Sequence, residues 1–265
     1  MSIKMLENLV NGKPITLSPS SLKGALDNLH LFWLEKNMRL SWPRGIFPTL
    51  PGGMDRVLKP WYDSWRARGE FPPEVRGQGV TGHLLGDQAT IDKWRSRGRG
   101  GMLSTIITTE IDKVLYGVTF QGMIDECVEE DDGSLTPFDF KTKGSEPKPG
   151  GSETYYQNQL NGYRLLFERN GRKGSGKAHL AYYYPGQAEA IPERDGAAVN
   201  SMRFSFACRV EHLAANGADC EQAVQKLISV LVGPLPEPGG HETCEYLANY
   251  PAVLAKVKAM AFSTK

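Results

Sequence analysis

The spacing of apolar residues along the chain changes near residue 100. Before that point, apolar side chains recur at the spacing of one helix face: Leu22, Leu26, Leu29 and Trp33. Ser18 followed by Pro19 is typical of a helix start, with a capping serine and proline at the first helical position. The pattern predicts helices over about residues 19–35 and 54–68 and within 79–94. We therefore expect a helical N-terminal part.

After residue 100 the pattern favours strands, with further helices between and after them. β-branched and aromatic runs predict strands over residues 103–111, 118–128, 136–142, 178–184 and 202–210. Asp132-Gly133, within residues 129–134, predicts a hairpin turn. A Gly/Pro loop over 144–152 precedes a predicted helix over 154–168, and further helices are expected over 219–232 and 251–260.

This order of elements predicts an α/β fold in which a central mixed β-sheet is flanked by helices and carries a helical N-terminal elaboration. We expect a single domain over residues 1–265. Its predicted parts are a helical region over 15–100, a core of sheet and helix over 101–210, and a C-terminal helical region over 211–265.

Composition narrows the class of protein. The 265 residues are 40% hydrophobic with a net charge of +1, which suits a globular protein and argues mildly against a strongly basic nucleic-acid binder. No apolar run is long enough for a membrane span, and the first residues lack the apolar core of a signal peptide. The four cysteines are scattered, which favours reduced thiols in the cytoplasm.

Two local basic runs stand out against the near-neutral total. They cover residues 93–99 and 164–177, and each is interpreted either as a phosphate contact or as a solvated surface. Trp42, Trp61 and Trp65 similarly allow a stacking wall for single-stranded DNA or ordinary packing, and general burial tendencies favour packing.

Acidic and basic residues suited to metal-dependent chemistry occur in two neighbouring predicted strands. Asp139 and Lys141 are two apart, so they share one face of a strand, while Phe140 points to the other face. Asp125 follows Gly122 on the adjacent predicted strand. Two adjacent carboxylates repel each other unless a cation joins them, and Mg²⁺ and Mn²⁺ prefer oxygen ligands. We predict one or two such ions on Asp125, Asp139 and the Phe140 backbone carbonyl.

The same pattern predicts hydrolysis of a phosphodiester. Lys141 can orient or deprotonate the attacking water, while the metal stabilises the attacking and leaving oxygens. Gln159 and Tyr163 are four apart on the following predicted helix, so they share one face and can present an amide and a hydroxyl to a phosphate or base. Tyr155 and Tyr156, near the start of that helix, are the better candidates for base stacking, and Tyr156 is counted among the substrate-binding residues.

In the order of these motifs, the chain resembles the PD-(D/E)XK nuclease superfamily and, within it, the RecB-like branch. The resemblance is carried by Ser18 to Leu22, Gly79-x-x-x-His83, Glu110, Gly122 to Asp125, Asp139 to Thr142 and Gln159 to Tyr163. It implies a restriction-endonuclease-like core and Mg²⁺- or Mn²⁺-dependent cleavage of DNA.

The resemblance also implies roles for individual residues. Asp125 and Asp139 would be metal ligands, Lys141 the catalytic lysine, and Gln159 and Tyr163 substrate-binding residues. His83 would be a further metal ligand on a helix. Asp87, one turn along the same predicted helix, is the alternative, and Glu110 is a possible additional carboxylate.

The cysteines depart from part of that branch. Some RecB-like nucleases hold an iron–sulfur cluster on four cysteines, one after the first helix and three near the C-terminus. Here Asn28 stands near the first position, and His241-x-x-Cys244 matches the C-terminal cysteine motif only in part. We expect no iron–sulfur cluster, since four thiolates are usually required, and two ligands do not make a zinc site.

The sequence therefore predicts a deoxyribonuclease acting on single strands or duplex ends in repair, recombination, phage biology or defence. The alternatives are a nucleic-acid-binding module that kept the fold without cutting, and an unrelated enzyme with an accidental Asp-x-Lys. Exo- or endonuclease action and the oligomeric state are left open, and a protein partner for recruitment is possible.

Overall fold

We describe the protein from a computed structural model. It describes residues 2–40, 49–97, 101–148, 150–188 and 204–239, together with residues 251, 252, 255 and 259. Within these residues, none of the helices combines the length and the apolar character that a membrane crossing requires.

The N-terminal segment contains two short strands and a broken helix. The elements are β1 (Ile3–Met5), β2 (Thr16–Leu17), a 3-10 helix (Pro19–Ser21), α1 (Leu22–Asp27) and α2 (Leu29–Met38). The single helix predicted over 19–35 is wrong in its continuity, because Asn28 leaves the helical conformation between α1 and α2. The Asn28 side chain accepts a hydrogen bond of 3.0 Å from the Leu31 amide, so it caps α2.

The next elements are α3 (Thr49–Arg66), β3 (His83–Leu84) and α4 (Gln88–Arg95). The helix predicted over 54–68 is present and begins earlier. The helix predicted within 79–94 is wrong for its first half, where His83 lies on β3. Gly82 has a φ of +72°, and a Cβ on it would lie 2.3 Å from the Glu129 carbonyl oxygen. Only glycine can therefore adopt this backbone conformation so close to Glu129.

Two mixed sheets form the β-structure. In the first sheet, β4 (Leu103–Ile111) and β5 (Val114–Gly122) form a hairpin, and β1 and β2 pair parallel with β5. The second sheet has the order β3-β6-β7-β8-β9, with β6 at Glu126–Glu129, β7 at Leu135–Thr142, β8 at Lys177–Ala188 and β9 at Phe204–Ala214. In this sheet β7 and β8 run parallel, and the other pairs are antiparallel.

The strand predicted over 118–128 is therefore two strands in two different sheets. The break falls at Met123–Asp125, between β5 and β6. The predicted α/β fold, with mixed β-structure flanked by helices and helices toward the N-terminus, is confirmed. The division into two sheets places a gap in the β-structure immediately before β6, and the candidate site lies at this gap.

Two helices complete the described fold, α5 (Ser152–Arg169) and α6 (Gly217–Val232). α5 connects the parallel strands β7 and β8 and packs on α6. The larger core joins these helices to the first sheet through Phe120, Leu166 and Leu227. A second core lies under α3, where the Tyr62 ring contacts Phe140 at 4.5 Å between centroids. The predicted helix over 251–260 lies largely outside the described residues.

Candidate active site

Asp125 and Asp139 meet at the start of β6. Glu126 pairs with Phe138 across the antiparallel ladder, so Asp125, one residue earlier, comes opposite Asp139. The Phe140 amide donates a 3.2 Å hydrogen bond to Asp125 Oδ2, which ties this carboxylate to the edge of β7. Lys141 forms an ion pair with Asp139 Oδ2. The three groups predicted to converge are thus brought together by strand pairing.

Burial sets the electrostatics of this group. Asp139 is 1% exposed, and this burial raises the pKa of its carboxyl above the usual range. The charge of Lys141 opposes the rise, and the charge of Asp125 adds to it. Burial also acts to lower the pKa of Lys141, but the attraction of Asp139 outweighs it, so the pKa of Lys141 is raised and its ammonium is retained.

Helix α5 supplies the polar partners of the buried carboxylate. Gln159 Nε2 donates to Asp139 Oδ1 at 3.1 Å and to the Tyr163 hydroxyl at 2.7 Å. The Tyr163 hydroxyl itself donates to Asp139 Oδ1 at 3.4 Å. The ring of Tyr156, half-buried, lies 4.7 Å from Lys141 Nζ. All three residues predicted to bind substrate therefore lie at the site, where Gln159 and Tyr163 contact Asp139 directly.

The donor set fits a hard divalent cation. Asp139 Oδ2 is buried and, apart from its ion pair with Lys141, receives no hydrogen bond from the described residues. Asp125 is partly exposed. The Phe140 amide donates to Asp125, and the Phe140 carbonyl lies on the same edge of β7. The described residues contain no group of three or more His, Cys, Asp or Glu side chains placed to hold an ion. Mg²⁺ and Mn²⁺ suit such a site because they retain waters and bind substrate oxygens.

Helix α3 brings two residues to the site that the sequence did not indicate. Lys59 Nζ lies 3.4 Å from Asp125 Oδ1 and 2.8 Å from Asp55 Oδ1. The available signal was an Asp55–Lys59 pair at the i, i+4 spacing in a predicted helix. That spacing is typical of an exposed pair on a helix surface, so it gave no reason to place Lys59 beside Asp125.

A buried ionic network fixes the start of β6. The Glu126 side chain is fully buried, and its Oε2 accepts from Arg66 at 2.5 Å and from Arg95 at 3.1 Å. Arg95 Nε also donates to the Asp125 carbonyl oxygen at 2.7 Å, and its Nη1 pairs with Asp63 at 2.8 Å. Arg95 belongs to the first basic run of the sequence, but it holds the chain around Asp125 and is not an exposed phosphate contact.

Three predicted residues lie away from the carboxylates. His83 pairs with Glu129 at the far end of β6, about 13 Å along the strand from Asp125, and its Nε2 lies 3.5 Å from Glu129 Oε2. Asp87 caps α4 by accepting from the Thr90 amide at 3.1 Å. Glu110 pairs with Leu115, about 23 Å along β4 from the end that meets Gly122. The structure does not bring these three side chains to the site.

An open cavity of about 520 Å³ gives access to the carboxylates. Asp125, Asp139, Lys141, Gln159 and Tyr163 line one part of it. The remaining wall carries three more cations from separate elements, namely Lys36, Lys59 and Arg97. Ser18, Ser20 and Ser21 also line the cavity. The acidic centre is thus surrounded by cations and hydroxyls that suit an anionic ligand. We call this space the catalytic cavity.

The tryptophans and the second basic run have structural partners. Trp65 lies against Trp61, with ring centroids 5.6 Å apart, and Arg68 and Arg76 stack over the Trp65 ring. Neither tryptophan lines the catalytic cavity. In the second basic run, four basic side chains each pair with a carboxylate; they belong to Arg164, Arg169, Lys173 and Lys177. Trp42, His241 and Cys244 lie outside the described residues.

Comparison with known proteins identifies the family. None of the curated proteins compared with the chain matches it. A solved structure of the protein SSO0001 aligns with 87% of this chain and 82% of that chain, at 13% identity and a TM-score of 0.39. A sequence model of the PD-(D/E)XK nuclease superfamily matches residues 54–248, which is more than half of the 265 residues and includes every carboxylate described above. The chain therefore belongs to the PD-(D/E)XK nuclease superfamily.

Proposed function

We propose that the protein is a Mg²⁺- or Mn²⁺-dependent deoxyribonuclease of the RecB-like branch, acting on single strands or duplex ends. The observation that carries the proposal is the convergence of Asp125, Asp139 and Lys141 in an open cavity lined by further cations. We include residues 1–265 in one nuclease domain, because α1 and α2 at the N-terminus pack on α5 and α6 of the core.

In this proposal Asp125 and Asp139 hold the metal, together with the Phe140 carbonyl. When bound, the ion supplies Lewis-acid stabilisation of charge on the phosphate oxygens. The proposal is supported by the buried Oδ2 of Asp139, whose partner among the described residues is the Lys141 ammonium and whose ionised form a bound cation would stabilise further. The proposal leaves out His83 and Asp87, because neither lines the catalytic cavity, and they pair instead with Glu129 and with the Thr90 amide.

Lys141 is the residue that positions the attacking water. Its raised pKa keeps the ammonium protonated, so it acts as a hydrogen-bond donor to the water and to the phosphate oxygen where negative charge develops. The ion pair with Asp139 and the neighbouring Tyr156 ring hold the ammonium in place. Gln159 and Tyr163 orient the Asp139 carboxylate, since the Gln159 amide donates to Asp139 and to the Tyr163 hydroxyl and that hydroxyl donates to Asp139.

The substrate side of the cavity suits a nucleic-acid backbone. Lys36, Lys59 and Arg97 line the same cavity as the carboxylates, and their ammonium and guanidinium groups suit the phosphates of a bound strand. The net charge of +1 conceals this local set because carboxylates elsewhere balance it. The described cysteines Cys127, Cys208 and Cys220 are all free thiols, which supports a reducing compartment for the reaction.

The test is cleavage of end-labelled DNA with Mg²⁺ or Mn²⁺. Wild type is expected to cleave, and Asp125→Asn and Lys141→Met are expected to lose at least about 100-fold in kcat/KM, as when a residue acting on the transition state is removed. Asp132→Asn and Lys143→Met are matched controls outside the cavity lining and should keep wild-type rates. Gln159→Ala should lose less than Asp125→Asn.

Two outcomes would refute the proposal. Wild-type rates in Asp125→Asn would show that the ligand assignment is wrong. Oligonucleotide binding without cleavage under either metal would instead favour the nucleic-acid-binding module that keeps the fold. RNA and duplex substrates run beside single-stranded DNA would decide the strand type.

A further inference from the structure

A second cavity of about 310 Å³ opens beside the catalytic cavity, between α1 and the first turns of α2. We call it the α1–α2 cavity. Its wall includes Gly24, Ala25, Leu31 and Phe32. Ser20, Ser21 and Lys36 line both cavities, so the two spaces share one boundary. A ligand that occupies the catalytic cavity can therefore extend into the α1–α2 cavity without leaving the protein surface.

The wall of the α1–α2 cavity suits a flat, partly apolar group. Leu31, Phe32 and Ala25 supply apolar surface, and Ser21 and Asn28 supply polar groups at the rim. Gly24, which is exposed, leaves open space on the lining, because no heavy atom lies within 4 Å of the position that a Cβ would occupy. A nucleobase has apolar faces and a polar edge, and unpaired bases bind against apolar and aromatic side chains. The volume falls at the lower end of the range for ligand sites.

Lys36 connects this wall to the reaction centre. It lines both cavities, and its ammonium pairs with the exposed Glu35 carboxylate at 3.1 Å, at the mouth of the α1–α2 cavity. A pair at the protein surface contributes little to stability, so it costs little for the Lys36 ammonium to leave Glu35 for a phosphate. A phosphate at Lys36 would lie between a phosphodiester in the catalytic cavity and a base in the α1–α2 cavity.

We propose that the α1–α2 cavity binds the unpaired base of a nucleotide next to the scissile phosphate. The inference rests on the proposed nuclease function and adds its substrate class: the strand must be unpaired beside the cut, as in a single strand or a frayed end. A paired base cannot leave the stack of an intact duplex without a cost in stacking and pairing. The cavity therefore selects for strand state without reading the sequence.

Gly24 provides the test. Gly24→Leu adds an isobutyl group to the lining of the α1–α2 cavity at an open position in a helix, where replacing glycine also favours the helical conformation. Gly53→Leu is the matched control, since Gly53 is also helical, has no heavy atom within 4 Å of its Cβ position and lines neither cavity. Thermal unfolding of both variants checks that each one folds.

The readout is kcat/KM on single-stranded oligonucleotides in which one base at a time is replaced by an abasic site. For wild type and Gly53→Leu, we expect one abasic position beside the cut to lower kcat/KM by about 5- to 150-fold, the range for loss of one bound base. Gly24→Leu should cleave the intact oligonucleotide at that lowered rate and lose nothing further at the abasic position. Equal rates for Gly24→Leu and Gly53→Leu on intact DNA would overturn the proposal.

Binding separates this inference from the proposed function. Fluorescence anisotropy of the same oligonucleotides, measured on Asp139→Asn protein, requires no cleavage. We expect weaker binding to the abasic oligonucleotide than to the intact one, and we expect Gly24→Leu to remove this difference. That result supports base binding in the α1–α2 cavity even if wild type cleaves nothing. If neither the abasic site nor Gly24→Leu changes the affinity, the proposal of base binding is overturned, even if cleavage is efficient.

Discussion

The buried pair of Arg66 and Glu126 offers the sharpest prediction about how the site is held. The Arg66 side chain is 2% exposed and the Glu126 side chain is fully buried. Arg66 donates to Glu126 Oε2 at 2.5 Å and to the Leu85 carbonyl oxygen at 2.7 Å. Arg66→Met keeps the apolar stem and removes the charge, so Glu126 would remain buried with Arg95 as its charged partner.

Breaking a buried ion pair by removing one partner costs about 3–5 kcal/mol, because the remaining charge loses its compensation. Arg95, at 3.1 Å from Glu126 Oε2, compensates in part, so we expect a loss of about 3 kcal/mol for Arg66→Met. Adding Glu126→Gln removes the orphaned charge and should recover about half of that loss. Burial raises the pKa of Glu126, so the loss should shrink as the pH falls and the carboxyl takes up a proton.

The assay is urea unfolding at pH 7 followed by tryptophan fluorescence, with the free energy of unfolding obtained by linear extrapolation. Arg209→Met is the matched control: Arg209 pairs with Glu146 at 3.4 Å, and their side chains are 34% and 64% exposed. An exposed pair contributes less than about 1 kcal/mol. A loss for Arg66→Met within about 1 kcal/mol of the control would refute the compensation argument.

Two further predictions concern pH and metal. Burial, and then the charge of His212, lower the pKa of His179 to about 4, with Glu130 opposing and Lys177 adding to the shift. The unfolded chain therefore takes up the proton first as the pH falls. Between about pH 6.5 and 4, the free energy of unfolding from urea titrations should fall by about 3 kcal/mol more for wild type than for His179→Gln. Parallel pH profiles of the two proteins would exclude the lowered pKa of His179. Lys59→Met removes the ammonium 3.4 Å from Asp125 Oδ1, so calorimetric titration should show Mn²⁺ binding about 5-fold tighter, the equivalent of about 1 kcal/mol. Lys23→Met, which removes a pair with Asp27, is its control, and unchanged affinity in Lys59→Met would show that Lys59 does not compete with the ion.

Much of the site could be predicted because strand periodicity and hairpin pairing are local. Asp139 and Lys141 share a strand face by their spacing, and the turn at Asp132-Gly133 returns β7 beside the chain that carries Asp125. Gln159 and Tyr163 share a helix face for the same reason, and the structure places both on Asp139. These pairs lie close in sequence, so little tertiary information is needed to bring them together.

The positions of His83, Lys59 and Arg95 could not be predicted in this way. The motif around His83 resembled a helix, but Gly82 lies against the Glu129 carbonyl oxygen, and this close approach holds the segment on β3. Lys59 reaches Asp125 because Tyr62 on the same helix packs against Phe138 and Phe140 of β7. Arg95 belongs to a basic run that the sequence indicates as exposed, but its partners are the buried Glu126 carboxylate and the partly exposed Asp63 carboxylate.

The sequence alone determined the α/β class, the order of most elements and the strand and helix that carry Asp139, Lys141, Gln159 and Tyr163. Only the tertiary structure decided that β5 and β6 separate at Met123–Asp125, that α3 places Lys59 at the opening, and that α1 and α2 part at Asn28 to form a second cavity. The physical reason is that periodicity fixes which face a side chain occupies within one element, whereas long-range packing and buried charge pairs decide which elements meet.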